Sequence, residues 1–214
     1  QENKPWYDKL SFFIQHIRSV ILECVYILGT VLSLDEMMVR FSGRSSETYH
    51  IRNKPIGEGY KFFVLSTKEG FVVNFTLDGR TASKKGDVEY LLVDDFTKTK
   101  SMILHLTEII EKFKEKQKKR LVTYGTKLRK AMDNYFTRPK VMAALREIGI
   151  GVVGTSRFFR NWPSKKFKVC VHQDKAKFNN FYHTVDEYGT LLGRWMDNGL
   201  VFCVSTAHKV GSIT

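Results

Sequence analysis

Apolar positions along the chain fall into two periods. Between Trp6 and Leu28 they recur at steps of three and four, at Trp6, Leu10, Phe13, Ile17, Ile21, Cys24 and Leu28. That spacing marks one face of an α-helix. The stripe is expected to be the buried side of a helix that stops at Gly29. The period then shortens. Residues 30–41 (TVLSLDEMMVRF) are rich in β-branched and apolar side chains and predict a strand with Asp35 and Glu36 inside it. A loop, FSGRSS, follows. Residues 60–66 (YKFFVLS) and 71–77 (FVVNFTL) are two more apolar runs, joined by Thr67, Lys68, Glu69 and Gly70, which is a hairpin signal. Three consecutive antiparallel strands are therefore predicted, closed by a turn at Asp78-Gly79.

The second half changes character. Residues 101–119 read as a helix with Met102, Leu106, Ile109, Ile110 and Phe113 on its inner face. Its end, KEKQKKR, is favourable at the negative pole of the helix dipole. Residues 128–132 form a short strand made polar by Arg129 and Lys130, ending at Asp133-Asn134. Thr137 is placed to cap a helix with Pro139 in its first turn and Val141, Leu145 and Ile148 on its buried side. Gly149 closes that helix, and 150–155 (IGVVGT) is a strand, so a βαβ unit surrounds Asp133. Residues 157–168 are basic and aromatic. Phe158, Phe159 and Trp162 there suit either core packing or stacking on bases, and Trp195 is expected in the core. Residues 169–171 and 199–206 read as strands, and 172–198 as a polar, irregular insertion on the main sheet. The expected organisation is an N-terminal helical segment (1–29), an α/β core of mixed sheet and flanking helices (30–156), and an insertion region with strands (157–214).

Composition narrows the class. The 214 residues suffice for one sizeable core, and 43% hydrophobic with 13% aromatic content excludes disorder as the default. Three cysteines, Cys24, Cys170 and Cys203, are scattered with no Cys-x-x-Cys pair. That argues for reduced thiols in an intracellular protein, against a disulfide framework or zinc ribbon. No apolar run approaches the ~20 residues that span a bilayer. The nearest candidate, 12–28, is broken by Gln15, His16, Arg18 and Glu23, so no membrane partner is expected. The chain opens at Gln1 on polar residues without a secretory signal and reads as a piece of a longer product. A net charge of +13 and a pI of about 9.6 favour polyanionic partners, nucleic acid first.

Two acids stand out by context. Asp35 lies inside an apolar strand, where a buried carboxylate would be costly. Asp133 ends a strand just before a helix, the place where open α/β sheets bind ligands. Carboxylates brought together by sheet pairing repel one another and call for a cation, and their hard oxygens suit Mg2+ or Mn2+. On spacing alone, the plainer reading is that both are ordinary solvated acids.

Three blocks then carry a resemblance. SLDEMMVRFSGRS followed by IRNKPIGEGYKFFVLSTKEGFVVNF contains Asp35, Glu36, Gly43, Arg44, Ser45, Lys54, Pro55, Gly59 and Lys61 in order. MDNYFTRPKVMAALREIGIGVVGTSR contains a D-N-x-F-T turn and a G-T-x-R strand, and GRWMDNGLVFCVSTAHK a W-x-D and an S-T pair. Together they resemble piggyBac-type DNA transposases over most of the chain from residue 30 onward. The resemblance implies an RNase H-like mixed sheet flanked by helices and metal-dependent DNA strand cleavage and transfer by a D-D-D set. Its first two acids map to Asp35 and Asp133, as catalytic residues and ligands of Mg2+ or Mn2+. The third acid of the family lies in a V-D-x-x-D segment past Thr214. Asp186 and Asp197 fall in the insertion region and are not promoted. The resemblance also implies double-stranded DNA as partner and a nuclear location. Arg44, Lys54, Lys61, Arg138, Lys140 and Arg157 flank the matched blocks and read either as phosphate contacts or as ordinary surface charge. A homodimer is left open. The competing reading is a domesticated, non-catalytic DNA-binding copy.

Overall fold

The computed structural model describes residues 4–24, 29–52, 54–80, 88–90, 97–118, 129–157, 181–186 and 188–207, in two compact units, Gln1–Gly125 and Thr126–Thr214. In the first unit, helix α1 (Ser11–Cys24) precedes strands β1 (Val31–Arg40), β2 (Tyr49–His50), β3 (Glu58–Thr67) and β4 (Val72–Leu77), and helix α2 (Lys98–Lys118) follows. The expected antiparallel trio is present. β1 pairs with β3 from Leu32↔Thr67 to Arg40↔Gly59, and β3 pairs with β4 across the Gly70 turn. Short β2, not foreseen, joins β3 at Glu58 and Gly59. Gly59 has a reason to be glycine: its φ is +153°, and a Cβ there would strike the Val39 carbonyl.

Alternation along β4 assigns its two faces. Phe75 and Leu77, with Phe62 of β3, meet Trp6, Tyr7 and Ile14 from the N-terminal segment. Asn74, on the opposite face, donates to the Leu106 carbonyl of α2 at 3.4 Å. Each helix thus covers one side of the β3–β4 hairpin. The rotation of α1 differs from the one its apolar stripe predicts. Leu10, Phe13 and Ile17 are exposed, and Ile14 is the buried residue of the helix. The cause is Arg18, one turn beyond Ile14. Its guanidinium makes two hydrogen bonds to the Glu89 carboxylate, donates to the Phe75 carbonyl at 2.5 Å and lies over the Phe75 ring. A bidentate pair of this kind fixes orientation as well as energy. It turns the Ile14–Arg18 face inward and leaves the more apolar face in solvent.

Glu89 also accepts from Thr76 Oγ1 at 3.3 Å and faces His105 Nε2 of α2 at 3.5 Å. A second ionic knot surrounds Asp78 just past β4. Its carboxylate, 4% exposed, takes Lys61 Nζ and Lys98 Nζ at 2.8 Å each and the Tyr49 hydroxyl at 2.8 Å. Burial raises the Asp78 pKa, but the hydrogen bonds from Lys61 and Lys98 outweigh it and leave the carboxyl below its ordinary range.

The second unit holds β5 (Arg129–Met132), α3 (Pro139–Glu147), β6 (Gly151–Ser156), β7 (Phe181–Val185), β8 (Leu191–Met196) and β9 (Leu200–Ser205). β5 and β6 are parallel, with α3 between them in sequence and packed on β6, as the βαβ reading requires. β6–β9, β9–β8 and β8–β7 are antiparallel, so the sheet is mixed. The segment read as an irregular insertion is, where described, the β7–β8 hairpin. Its turn is closed by Asp186 Oδ1, which accepts the Tyr188 and Thr190 amides at 3.0 and 2.7 Å. In β8 the Arg194 side chain is buried beneath the Tyr182 ring, 4.3 Å from its centroid. Trp195, expected in the core, is exposed. The strand at 169–171 and the aromatics Phe158, Phe159 and Trp162 lie outside the described residues.

Burial pushes the Glu89 pKa up, but hydrogen bonds from Arg18 and then His105 pull it down further, to about 2. A carboxyl depressed in the fold stabilises above its unfolded pKa, and that contribution is lost as pH falls through the folded value. Urea unfolding should therefore show stability declining between about pH 4.5 and 2. Glu89→Gln should lower stability at pH 7 by roughly 3 kcal/mol, because Arg18 is left uncompensated, and should flatten that acid limb.

Candidate metal centre and nucleic-acid interface

Asp35 sits mid-strand in β1, paired with Val64, and is exposed. Its Oδ1 accepts the Glu36 amide at 2.7 Å. Successive strand residues point to opposite faces, and the two acids of the D-E pair have different fates. Glu36 forms an ion pair with Lys54 at 2.7 Å, whereas Asp35 has no cationic partner among the described residues.

Asp133 is the first residue after β5 and is exposed. The turn it begins is held from several sides. The Asp133 carbonyl accepts the amides of Phe136 at 3.0 Å and Thr137 at 3.2 Å. The Thr137 hydroxyl lies 2.7 Å from that carbonyl and also against the Thr155 carbonyl of β6. Thr137 is therefore not the cap of α3. The cap position belongs to Arg138, without a side-chain cap hydrogen bond, and Pro139 opens the helix. Thr137, wholly buried, ties the β5–α3 turn to β6 instead. The Asp133 carboxylate projects to solvent, with Thr155 Oγ1 3.2 Å from its Oδ1. Among the described residues Asp133 has no ion-pair partner.

These two acids fit a hard divalent cation in chemistry: each offers exposed carboxylate oxygens that no lysine or arginine among the described residues neutralises, in a chain of net charge +13. Among the described residues, no group of three or more His, Cys, Asp or Glu side chains gathers at one point. An apolar groove of about 310 Å³ on the second unit's sheet, which includes Val153, Leu191 and Cys203 in its lining, contains no acid among the described residues.

The basic residues divide. Arg44, Arg138, Lys140 and Arg157 are exposed. Lys54 is half-buried against Glu36. Lys61, expected at phosphate, is 9% exposed and bound to Asp78, with its Nζ over the rings of Tyr49 at 4.5 Å and Phe63 at 4.9 Å. An ammonium so enclosed serves the fold. Its place in a G-x-K hairpin motif carried no signal of this, because the partner acid lies 17 residues downstream in a turn.

The transposase family described as Transposase IS4 matches residues 3–214. The chain belongs to the piggyBac-type transposases. It is 25% identical over 186 residues to human PiggyBac transposable element-derived protein 3, covering 85% of this chain and 28% of that protein. It is 29% identical over 179 residues to human PiggyBac transposable element-derived protein 2, covering 82% and 27%. The chain thus spans about a quarter of the length of these curated relatives. A piggyBac transposase solved in a synaptic complex with hairpin DNA superposes with a TM-score of 0.68 at 16% identity, over 94% of this chain and 38% of that one. That likeness shows the fold: the mixed sheet flanked by helices is RNase H-like, as the sequence blocks imply. Among the described residues, no helix is long and apolar enough to cross a membrane.

One basic residue lies wholly inside the fold. Lys130, in β5, is completely buried with no hydrogen-bond partner for Nζ among the described residues. Burial lowers its pKa to about 7. Between that value and about 10.5 the unfolded chain carries a proton that the folded chain has released, so stability rises with pH across this window. Chemical denaturation at pH 7 and pH 9 should show a gain on the order of 2 kcal/mol. Lys130→Met, apolar and of similar length, should be the more stable protein at pH 7 and should lose that pH dependence.

Proposed function

We propose that this chain is a metal-dependent core for DNA strand cleavage and transfer, with Asp35 and Asp133 as the carboxylates that hold Mg2+ or Mn2+. The observation that carries the reading is Asp133. It is an exposed carboxylate without a cationic partner among the described residues, at the carboxyl end of a parallel strand and on a turn fixed by Thr137. Strand ends of this kind are where open α/β sheets bind ligands. Asp35 supplies the second acid, and the Lys54–Glu36 ion pair leaves it as the available member of its pair.

Bound divalent cations would supply activation of the attacking oxygen and stabilisation of the leaving one. The chain's own residues bind and orient: the carboxylates fix the cations, and Arg44, Arg138, Lys140 and Arg157 neutralise the DNA backbone without reading its sequence, while Lys54 stays paired with Glu36. Lys61 is outside this set. Double-stranded DNA is the substrate in this reading, and the nucleus is where the protein would meet it.

Calorimetry with Mn2+ on the 214-residue chain tests the metal assignment. Binding should weaken at least tenfold in Asp35→Asn and in Asp133→Asn, and equal binding by the variants would leave both acids merely solvated. DNA binding tests the rest. Affinity for duplex DNA should fall steeply between 50 and 200 mM salt, roughly as 0.9 power of salt for each phosphate contact. Arg138→Ala with Lys140→Ala should reduce that slope by about 2. Salt-dependent DNA binding without any Mn2+ binding would favour the non-catalytic reading.

A further inference from the structure

We propose that Thr155 is a positioning residue for Asp133: its hydroxyl holds one carboxylate oxygen, so that the other stays directed to a divalent cation. The inference rests on the metal-ligand reading of Asp133 and adds a residue that the acid motif does not contain. Thr155 Oγ1 lies 3.2 Å from Asp133 Oδ1 and is the side-chain partner that this carboxylate has among the described residues. A carboxylate has about four lone-pair sites. One hydrogen bond to Oδ1 therefore restrains that oxygen and leaves Oδ2 open.

The backbone makes the contact reproducible. The Asp133 and Thr155 carbonyls both face the hydroxyl of Thr137, so one buried side chain sets the spacing between the two positions. Gly154 is the neighbour that permits the approach: a Cβ there would collide with the Met132 carbonyl and come within 2.9 Å of Thr137 Cγ2. Thr155 is β-branched on a strand, where χ1 is restricted, and it is locked on its other side by pairing with Cys203 of β9. Both the hydroxyl and the carboxylate are exposed. A hydrogen bond between solvated groups adds little to stability, because water replaces either partner. Its effect is then on the direction of the ligand. Partners that orient metal-bound carboxylates typically alter affinity by about 10- to 100-fold when removed.

The test uses the 214-residue chain, with free Mn2+ followed by electron paramagnetic resonance and thermal unfolding recorded without metal. Thr155→Val keeps the shape and removes the hydroxyl, and Thr155→Ser restores a hydroxyl on a less restricted rotamer. The expected result is a loss of Mn2+ affinity of about tenfold or more in Thr155→Val, recovery to within a few-fold in Thr155→Ser, and metal-free melting temperatures matching the parent. Thr155→Val binding Mn2+ like the parent, while Asp133→Asn does not, would overturn the role of Thr155 and leave Asp133 a ligand. Equal losses in the valine and serine variants, or a lowered metal-free melting temperature in Thr155→Val, would overturn it in favour of packing. Unchanged binding in Asp133→Asn would remove the metal reading and this inference together.

Discussion

Gly154 has no Cβ, and the Met132 carbonyl occupies the direction in which one would project. That close approach lets the end of β5 lie against β6 while Thr137 bridges the Asp133 and Thr155 carbonyls. Any larger residue at 154 would push the strand end away and break the bridge, since overpacking at a tight backbone contact forces the backbone to shift. The turn geometry, the exposure of Asp133 and the reach of the Thr155 hydroxyl all follow from this contact. The D-N-x-F-T and G-T-x-R motifs, about 20 residues apart in the chain, are two halves of one packing solution.

A second constraint is the allocation of charge. In a chain with 35 basic and 22 acidic residues, an acid readily finds a lysine or arginine. Asp78, Glu89 and Glu36 do: Asp78 takes two lysines, Glu89 a bidentate arginine and Glu36 Lys54. Asp78 and Glu89 connect helices to the first sheet, and each is buried enough that loss of its partner would strand a charge. Asp35 and Asp133 differ in both respects. They are exposed, and among the described residues they are unpaired. Their carboxylates are therefore structurally dispensable, which is the condition that a ligand site needs and a folding element does not.

What could be read from the sequence follows from what period and punctuation encode. β1, β3, β4 and the β5–α3–β6 unit were legible because apolar runs ended at Gly70, Gly149 and the Asp133 turn. The positions of Asp35 and Asp133 came with them. The rotation of α1 was not legible. Hydrophobic spacing identifies the most apolar face, but Arg18 turned a different face inward through Glu89, an acid 71 residues away. The β7–β8 hairpin was hidden for a related reason: Arg194 reads as a surface residue unless the Tyr182 ring opposite it is known. The burial of Lys61 against Asp78 was hidden in the same way. In each case an ionic or cation–π partner brought close by the folded chain gave a local charge its role, and periodicity alone does not identify that partner. Thr137 is the converse, where the residue was recognised but a helix cap was the nearest local explanation for a hydroxyl that instead reaches across to β6.

The same electrostatics set an order of events in the proposed reading. Phosphate approaching Asp133 meets a carboxylate, and like charges at close range repel. The exposed basic residues attract the backbone at longer range, so binding of DNA would be dominated by them and by counterion release. A divalent cation held at Asp133 inverts the local sign, because a bound ion is the largest charge in such a site. Affinity and chemistry are then carried by different residues. In that reading arginines and lysines would bring DNA to the surface whether or not metal is bound, and the phosphodiester would come to the carboxylates only with metal in place. A carboxylate that swung freely would blur that distinction by pairing with a nearby cationic side chain. Tethering Asp133 through Thr155 keeps its open oxygen facing solvent instead of a lysine or arginine.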